Sequence, residues 1–417
     1  MAATVTAKPD SKPKQVSGDG LDVFYGEFLV SPIPLELSFN YCSHKCAYCF
    51  ANLNKPDRWA DVKAVTRLLQ DYRNRETLTA QLLKAGYPVL ISNRVDPFAA
   101  SNYQQAVPII TTMAEMGIPL ALQTKGGRGI DDVLSVLPPS AWYISIGTLD
   151  DSIRKRIEPG APTIESRFEL IEKLTAKGHH VSLGLNPLVP EWCPNPEALL
   201  DRARASGAKG VWAERLHLNH KQVVNLSERE RGGMTEDVIK RAQKRTTTPP
   251  ELALYDSARA YAQSIGLEVY GIAQPIASDY FEPYKKLYPK VFPTIQDFVN
   301  ATYRGDFGEV IDFDQFADFM CAFLPKGEMP IDHYLGATAH TLWHTNKIPK
   351  RMTYRQLLSI VWSDLRIHRC PARMRCFAFQ AERDSDGGWI RITDNNDLPY
   401  LVFDPQGFDE YYTEVEY

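Results

Sequence analysis

The sequence predicts an α/β fold: a partial parallel (β/α)6 barrel, followed by a C-terminal, mostly helical lobe that ends in a β-hairpin. Three observations carry this reading. From about Leu35 to Leu218, short and nearly continuous apolar runs alternate with helical stretches, the pattern of parallel strands covered on both faces. After Asn219 the alternation loosens and helical periodicity takes over. The last part of the chain has two strand-like runs around a Ser-Asp-Gly-Gly turn.

Taken in order, the strand runs are LELSFN (Leu35–Asn40), PVLIS (Pro88–Ser92), PLALQTK (Pro119–Lys125), WYISIG (Trp142–Gly147), HVSLGLN (His180–Asn186) and GVWAERLHL (Gly210–Leu218). Helical patterns such as YQQAVPIITTMAEMG and IESRFELIEKLTAKG separate them; in the second, Phe168, Ile171 and Leu174 recur at helical spacing and Gly178 stops the helix. Successive βα units make a parallel sheet that curls, with chemistry at the C-terminal ends of the strands. LEVYGIAQP (Leu267–Pro275) adds a seventh strand or an edge. The stretch KQVVNLSERERGGMTEDVIKRAQKRTTTPP is polar and then basic, and a helix is expected from about Pro250 to Gly266. From about Asp279 to His368 the chain reads as all-helical, with a capping box of Thr353 and Gln356 before one apolar face. Met374 to Phe403 reads as a hairpin turning at Ser385–Gly388. The expected division is a disordered leader over 1–30, the barrel over 31–275 and the lobe over 276–417.

Composition narrows the function classes. The chain has 417 residues, 44% of them apolar and 24% charged, with a net charge of −4. That balance argues against a protein generally coated by polyanion, while leaving room for a local basic groove. No window approaches ~18 consecutive apolar residues, so no membrane span is expected. The first 20 residues have lysines but no apolar core of a secretory signal, so a cytoplasmic location is the default. Seven cysteines in a reducing compartment point to metal or redox work rather than disulfides.

Cys42-Ser-His-Lys-Cys46-Ala-Tyr-Cys49 is a C-x3-C-x2-C triplet directly after the first strand run. Thiolates are the soft ligands that iron–sulfur clusters require, and a cubane has four iron corners. Three local cysteines leave one corner open, which suits the chelation of a substrate or cofactor. The alternatives are a zinc site with a remote fourth ligand, for which His44 is the candidate, or three structural thiols. With Tyr48 just before the last cysteine, the triplet resembles the signature of the radical S-adenosylmethionine superfamily. The resemblance implies a [4Fe–4S] cluster on Cys42, Cys46 and Cys49 and S-adenosylmethionine chelated at the open iron. It further implies reductive cleavage to a 5′-deoxyadenosyl radical, with Tyr48 near the adenine.

Polar residues at the other strand ends are the candidates for orienting such a cofactor, because the radical has to meet one hydrogen atom at contact distance. ISNRVDPF, LQTKGG, ISIGTLDDSIRKRIEPGAPTIESRFELIEKL and LGLNPLVP resemble successive blocks of the spore photoproduct lyase-like group within that superfamily. The likeness covers roughly Leu35 to Pro190 and implies that Lys125 and Ser145 contact the methionyl part of the cofactor and that Asp96 lies beside them. Asn186, after the fifth strand run, is a further cofactor-binding candidate. Read without the resemblance, Lys125 caps a helix, Ser145 is a small core residue and Asp96 starts a turn. Glu158 and Arg167 also match the group and read as an ion pair that fixes a crossover. One departure matters: the group's hydrogen-donating cysteine falls near Asn93 here, where the chain has none. A reaction other than thymine-dimer repair is therefore expected. Cys193, in PEWCPNP, is the catalytic candidate for that donor.

Cys321, Cys370 and Cys376 are candidates for a second cluster, and His340 and His344 form an i, i+4 pair. From Thr345 to Cys376, Lys347, Lys350, Arg351, Arg355, Arg366, Arg369, Arg373 and Arg375 face one acid, Asp364, with Tyr354 and Trp362 interleaved. Cations for phosphates and aromatics for bases are the ingredients of a nucleic-acid groove; a solvated helix face balanced by the acidic tail is the alternative. The expected enzyme takes hydrogen from a nucleobase or nucleotide in DNA or RNA, served by a flavodoxin- or ferredoxin-type electron donor. A peptide or small-molecule substrate, with the C-terminal lobe closing the barrel, is the second reading. A non-catalytic metal- or nucleic-acid-binding protein is the third.

Overall fold

The computed structural model describes residues 14–15, 20–23, 32–39, 41–49, 58–59, 61–91, 95–243, 249–270, 282–322, 324, 353–365, 367, 370–374, 376–404 and 406. Its central sheet has eight strands: β1 (Asp22–Val23), β2 (Leu35–Leu37), β3 (Val89–Ile91), β4 (Leu120–Thr124), β5 (Ala141–Ser145), β6 (His180–Leu188), β7 (Gly210–Arg215) and β8 (Glu268–Tyr270). They lie side by side in chain order; β2 to β8 are parallel, and β1 runs antiparallel along the edge of β2. The helices that connect sequential neighbours, among them Val62–Asp71, Tyr103–Glu115 and Ile164–Ala176, pack on one face, while the later helix Glu282–Leu287 lies against the other. The sheet is thus an open arc with a helix-covered convex face and a concave face. The six expected units are present, and of the two readings for Leu267–Pro275, the seventh parallel strand is the one formed, over Glu268–Tyr270.

Alternation along the strands separates the faces. Val89, Ile91, Leu120, Leu122, Trp142 and Ile144 share one apolar cluster with the helical residues Leu68, Ile110, Met113, Phe168 and Ile171. Leu90, Ala121 and Ala141, on the opposite face, pack instead with Ile33, Tyr284 and Tyr288. Helix Ile164–Ala176 shows the local logic. Thr163 accepts from the Ser166 N–H at its start, Phe168, Ile171 and Leu174 are buried, and Gly178 leaves it at φ +81°, a conformation glycine adopts without a Cβ clash.

The C-terminal region packs at the N-terminal ends of the strands. The Tyr288 hydroxyl donates to the Leu120 carbonyl (2.5 Å) and accepts from the Ala141 N–H (3.0 Å), at the first residues of β4 and β5. The Phe292 N–H donates to the Pro32 carbonyl at 2.7 Å, and the Phe292 ring lies between Tyr87 and Tyr354. Through Tyr284, Tyr288 and Phe292 this region meets the sheet at the N-terminal ends of its strands. It contains the expected capped helix, Tyr354–Ser363, and the expected hairpin, Ala381–Arg383 with Trp389–Arg391. Two details differ from expectation. Val310–Ile311 interrupts the helical stretch and joins Leu401–Phe403 and Phe377–Phe379 in a small antiparallel sheet. The polar stretch after Asn219 folds into three short helices, His220–Asn225, Glu228–Gly233 and Glu236–Gln243, the first two closed by capping boxes. Residues 1–13, 16–19 and 24–30 of the expected leader lie outside the described residues. So do Asn40, Ser92–Arg94, 271–275, His340, His344, Lys347, Lys350, Arg351, Arg366, Arg369 and Arg375.

Candidate active site

The three-cysteine loop leaves the C-terminal end of β2 and is anchored from three directions. Ser101 accepts from the Ser43 N–H (3.1 Å) and donates its hydroxyl to the Tyr41 carbonyl (2.9 Å). On the second side, the Gly160 N–H donates to the His44 carbonyl (3.0 Å) and the Ala47 N–H to the Ile157 carbonyl (2.7 Å). A Cβ at Gly160 would stand 2.0 Å from the Ser43 carbonyl oxygen, so only glycine permits this approach. On the third side, Gly233 faces Ala47, and Arg229 donates to the Lys45 carbonyl at 2.6 Å. Lys45 itself bends the loop at φ +52°.

This clamping buries the sulfur ligands. Cys42 and Cys46 are each 6% exposed and Cys49 is half-buried. Burial, then the Asp96 charge, pushes the Cys42 thiol up to about 12. Cys46 is raised well above the usual thiol range, by burial first and then by Glu158 and the other two thiols, against a lowering pull from Lys125. Three thiols that repel one another's ionisation in so little water need a cation among them to become thiolates, which a metal centre provides. The donor set fits an iron–sulfur cluster, in which each cysteine takes its own iron. His44, the candidate zinc ligand, is turned away. Its Nδ1 pairs with the Gly160 carbonyl (3.1 Å) and its Nε2 lies 3.1 Å from Asp96 Oδ2.

Asp96 ties the loop after β3 to the end of β4. Its carboxylate accepts from the Thr124 hydroxyl (2.8 Å), the Lys125 N–H (2.6 Å) and the Phe98 N–H (3.0 Å). Burial alone would raise its pKa, but the His44 imidazole beside it and these hydrogen bonds hold it below the usual carboxylate range. The bond to Phe98 is the expected turn; the others hold the cysteine loop and the Lys125 backbone together.

Lys125 is the hub of the polar group. Its Nζ donates to Ser145 Oγ (2.5 Å) and Tyr48 OH (3.0 Å) and pairs with Glu158 Oε1 (3.0 Å). The Tyr48 hydroxyl donates to the same Glu158 oxygen. Glu158 Oε2 meets Arg167 Nη2 at 2.6 Å, with both side chains at 2% exposure or less, and Arg167 Nη1 donates to the Ser145 carbonyl at 2.9 Å. Burial would raise the Glu158 pKa; Arg167, Lys125 and Tyr48 together hold it far down. The Tyr48 hydroxyl is pushed the other way, by burial and then by Glu158 and Cys46. Trp192 packs against the Tyr48 ring at 5.5 Å. The expected Glu158–Arg167 pair thus exists, but its carboxylate also reaches into the site. Spacing along the chain gave no signal for this, because it depends on residues 157–160 returning across the cysteine loop.

The remaining candidates are placed as follows. Asn186, two residues before the end of β6, hydrogen-bonds the Tyr143 hydroxyl through its side chain. Cys193 lies in the apolar core at 3% exposure, and burial pushes its thiol up to about 12. Cys321, Cys370 and Cys376 are buried in the C-terminal region, and no metal-site grouping among the described residues includes them. The proposed stacking aromatics of the basic stretch are corrected outright. Tyr354 and Trp362 are 1% and 0% exposed, and the Trp362 indole N–H is spent on the Pro399 carbonyl. Arg355 pairs with Asp314 and Asp318.

Comparison with known proteins adds a family. Residues 37–203 match the family model of the Radical SAM superfamily. An uncharacterized protein of Mycobacterium tuberculosis is 27% identical over 196 residues, which are 42% of this chain and 56% of that protein. An uncharacterized protein of Acidianus two-tailed virus is 24% identical over 197 residues, 42% of this chain and 64% of that one. The chain thus spans less than two thirds of these relatives. Among solved structures, a mutant spore photoproduct lyase with dinucleoside spore photoproduct aligns at a TM-score of 0.43 and 15% identity, over 57% of this chain and 75% of that one. Streptococcus suis SuiB bound to the precursor peptide SuiA aligns at 0.32 and 18%, over 43% and 38%. No helix among the described residues is long and apolar enough to cross a membrane.

Proposed function

We propose that this chain, whose residues 37–203 carry a Radical SAM domain, is an enzyme that holds a [4Fe–4S] cluster on Cys42, Cys46 and Cys49 and takes hydrogen from a nucleobase or nucleotide. In this superfamily the cluster and S-adenosylmethionine, when bound, supply a 5′-deoxyadenosyl radical. The observation that carries the reading is the meeting, at one set of strand ends, of the buried three-thiol loop with the Lys125–Tyr48–Ser145–Glu158 group.

Each residue of that group has a task. The Lys125 ammonium and the Ser145 hydroxyl offer donors to a carboxylate, and the Glu158 carboxylate offers acceptors to an amine. These are the two ends of an amino acid. Arg167 fixes Glu158, and Glu158 fixes Lys125, so the donors stay aimed without reorganisation when a ligand arrives. Tyr48 on Trp192 provides a flat aromatic surface beside them. Asp96 and His44 hold the cysteine loop against the end of β4. The concave face next to this group is aromatic and rich in hydrogen-bonding side chains, which favours a heterocycle over an aliphatic substrate. A low-potential donor of the flavodoxin or ferredoxin type is the partner such chemistry needs. Cys193 as hydrogen donor is no part of what supports this reading.

Anaerobic reconstitution tests it. The wild-type protein should bind iron and inorganic sulfide in equal amounts, change its electron paramagnetic resonance spectrum on addition of S-adenosylmethionine, and form 5′-deoxyadenosine under reduction. Cys46→Ala should lose both the cluster and the product. A Cys46→Ala protein that still makes 5′-deoxyadenosine defeats the assignment.

A further inference from the structure

The concave face has a second half that the Lys125 group leaves unused. Side chains alternate along a strand, and Lys125 and Ser145 meet on the concave side, so register identifies their neighbours there. Ser145 is paired with Gly184 and Gly184 with Trp212; two residues along their own strands lie Tyr143, Asn186 and Glu214. Tyr143 leans across β6 where Gly184 has no side chain, since a Cβ there would come within 2.0 Å of its ring. The Tyr143 and Trp212 rings meet in a T-shaped contact with centroids 5.5 Å apart, and the Tyr143 hydroxyl bonds Asn186. The Trp212 indole N–H donates to Glu214 Oε1 at 3.2 Å. Tyr143 lies two residues before Ser145 on the same face of β5, so this wall adjoins the Lys125 group.

We propose that Tyr143, Asn186, Trp212 and Glu214 bind the substrate, and that the group they take is an amino-bearing nucleobase, laid on Trp212 with its N–H donors on Glu214. The inference rests on the radical-enzyme reading above. A hydrogen atom can be taken only at contact distance from the cofactor, and this wall adjoins the residues that would orient the cofactor. An indole stacks a base of any sequence. An ionised carboxylate only accepts hydrogen bonds, so the ligand brings the donors; cytosine, adenine and guanine have an exocyclic amine, and uracil has none.

The test is calorimetric titration of the cluster-loaded protein, saturated with S-adenosylmethionine so that its adenine is not the ligand measured. The probes are guanosine, cytidine, adenosine, uridine and an arginine-containing peptide. At least one aminated nucleoside should bind tenfold or more tightly than uridine. Glu214→Gln, which keeps the side-chain shape, should remove that preference, and Asn186→Ala should weaken binding without abolishing it. Equal binding of uridine, binding of the peptide alone, no binding of any nucleoside, or an unchanged preference in Glu214→Gln overturns the proposal. Formation of 5′-deoxyadenosine is followed in parallel. If it persists while nucleosides fail to bind, only the wall is misassigned; if the wild type never forms it, the underlying reading falls.

Discussion

The two ends of the same strands are built from opposite chemistry. At the C-terminal ends, five ionisable side chains (His44, Asp96, Lys125, Glu158 and Arg167) are buried or largely buried together and hold one another by ion pairs and hydrogen bonds. At the N-terminal ends, Tyr284, Tyr288 and Phe292 close the arc with aromatic surface and spend their hydrogen bonds on backbone atoms, and the ion pair there, Lys286 with Glu268, is about half exposed. A barrel sheet has the same register at both ends, so the difference comes from what the loops bring. Loops after the strands bring charge that must be desolvated to be useful, which costs stability. The aromatic closure below, contributed from more than 140 residues further along the chain than β5, offsets that cost by burying apolar area.

The largest test of this division is Arg167→Ala. Removing one partner of a buried pair leaves the other uncompensated, typically a loss of about 3–5 kcal/mol. Denaturant unfolding of the apoprotein should show that loss. Arg355, which pairs with Asp314 and Asp318 near the surface of the C-terminal region, should cost less than about 1 kcal/mol when replaced by Ala. Similar costs for the two would mean that the charges around Glu158 are not desolvated as described.

How much of this was legible in the sequence follows the same line. The sequential sheet showed in its apolar runs, because parallel strands buried on both faces need them. Lys125, Ser145 and Asp96 stood out as candidates by their places at strand ends together with the family resemblance, and the cysteines by spacing within eight residues. Glu158 and Arg167 were read as a pair because they are nine residues apart on one crossover, whereas the reach of Glu158 to Lys125 and Tyr48 is a tertiary return that no local pattern encodes. His44 was weighed only as a metal ligand, since nothing nearby announced Asp96 fifty-two residues away. Trp362 has two readings in the sequence, one on the apolar face of the capped helix and one as a stacking aromatic among basic neighbours; helical spacing supports the first, composition alone the second, and the structure buries it together with Tyr354. The seat of the C-terminal region under the strands was likewise invisible, being set by contacts far apart in the chain.

A second test separates the ends by pH. His179, at the N-terminal end of β6, accepts the Ser140 N–H on Nδ1 (3.1 Å), and burial, then the Lys177 charge, lowers its pKa to about 4. An unfolded histidine titrates near ~6.5. As pH falls from there, the unfolded chain takes up a proton that folded His179 refuses, so stability drops until about pH 4, by up to ~3 kcal/mol. Asp96 and Glu158 are depressed carboxylates, and the stability they contribute is present above the ordinary carboxylate range and lost only as pH falls through it. The N-terminal end should therefore weaken first on acidification. His179→Asn, whose amide oxygen can still accept from Ser140, should flatten the limb between about pH 6.5 and 4 in urea titrations and leave the lower limb in place. A limb that survives the substitution belongs to another group.

The smallest effects give the sharpest comparison, because they come from the same hydroxyl at the two ends. Tyr288 donates to the Leu120 carbonyl and accepts from the Ala141 N–H, so Tyr288→Phe leaves two buried backbone groups without that partner and should cost about 2 kcal/mol. Nothing it touches belongs to the candidate active site, so 5′-deoxyadenosine formed per folded molecule should not change. Tyr48→Phe deletes a hydroxyl shared by Glu158 and Lys125. Glu158 keeps Lys125 and Arg167, so unfolding should move by less than about 1 kcal/mol. The freed Lys125 is held less firmly, and the affinity for S-adenosylmethionine should fall by about tenfold, the weight of one hydrogen bond to a charged group. If Tyr288→Phe alters cofactor affinity, or Tyr48→Phe unfolds the protein as readily as Tyr288→Phe does, then binding and stability are not divided between the ends of these strands.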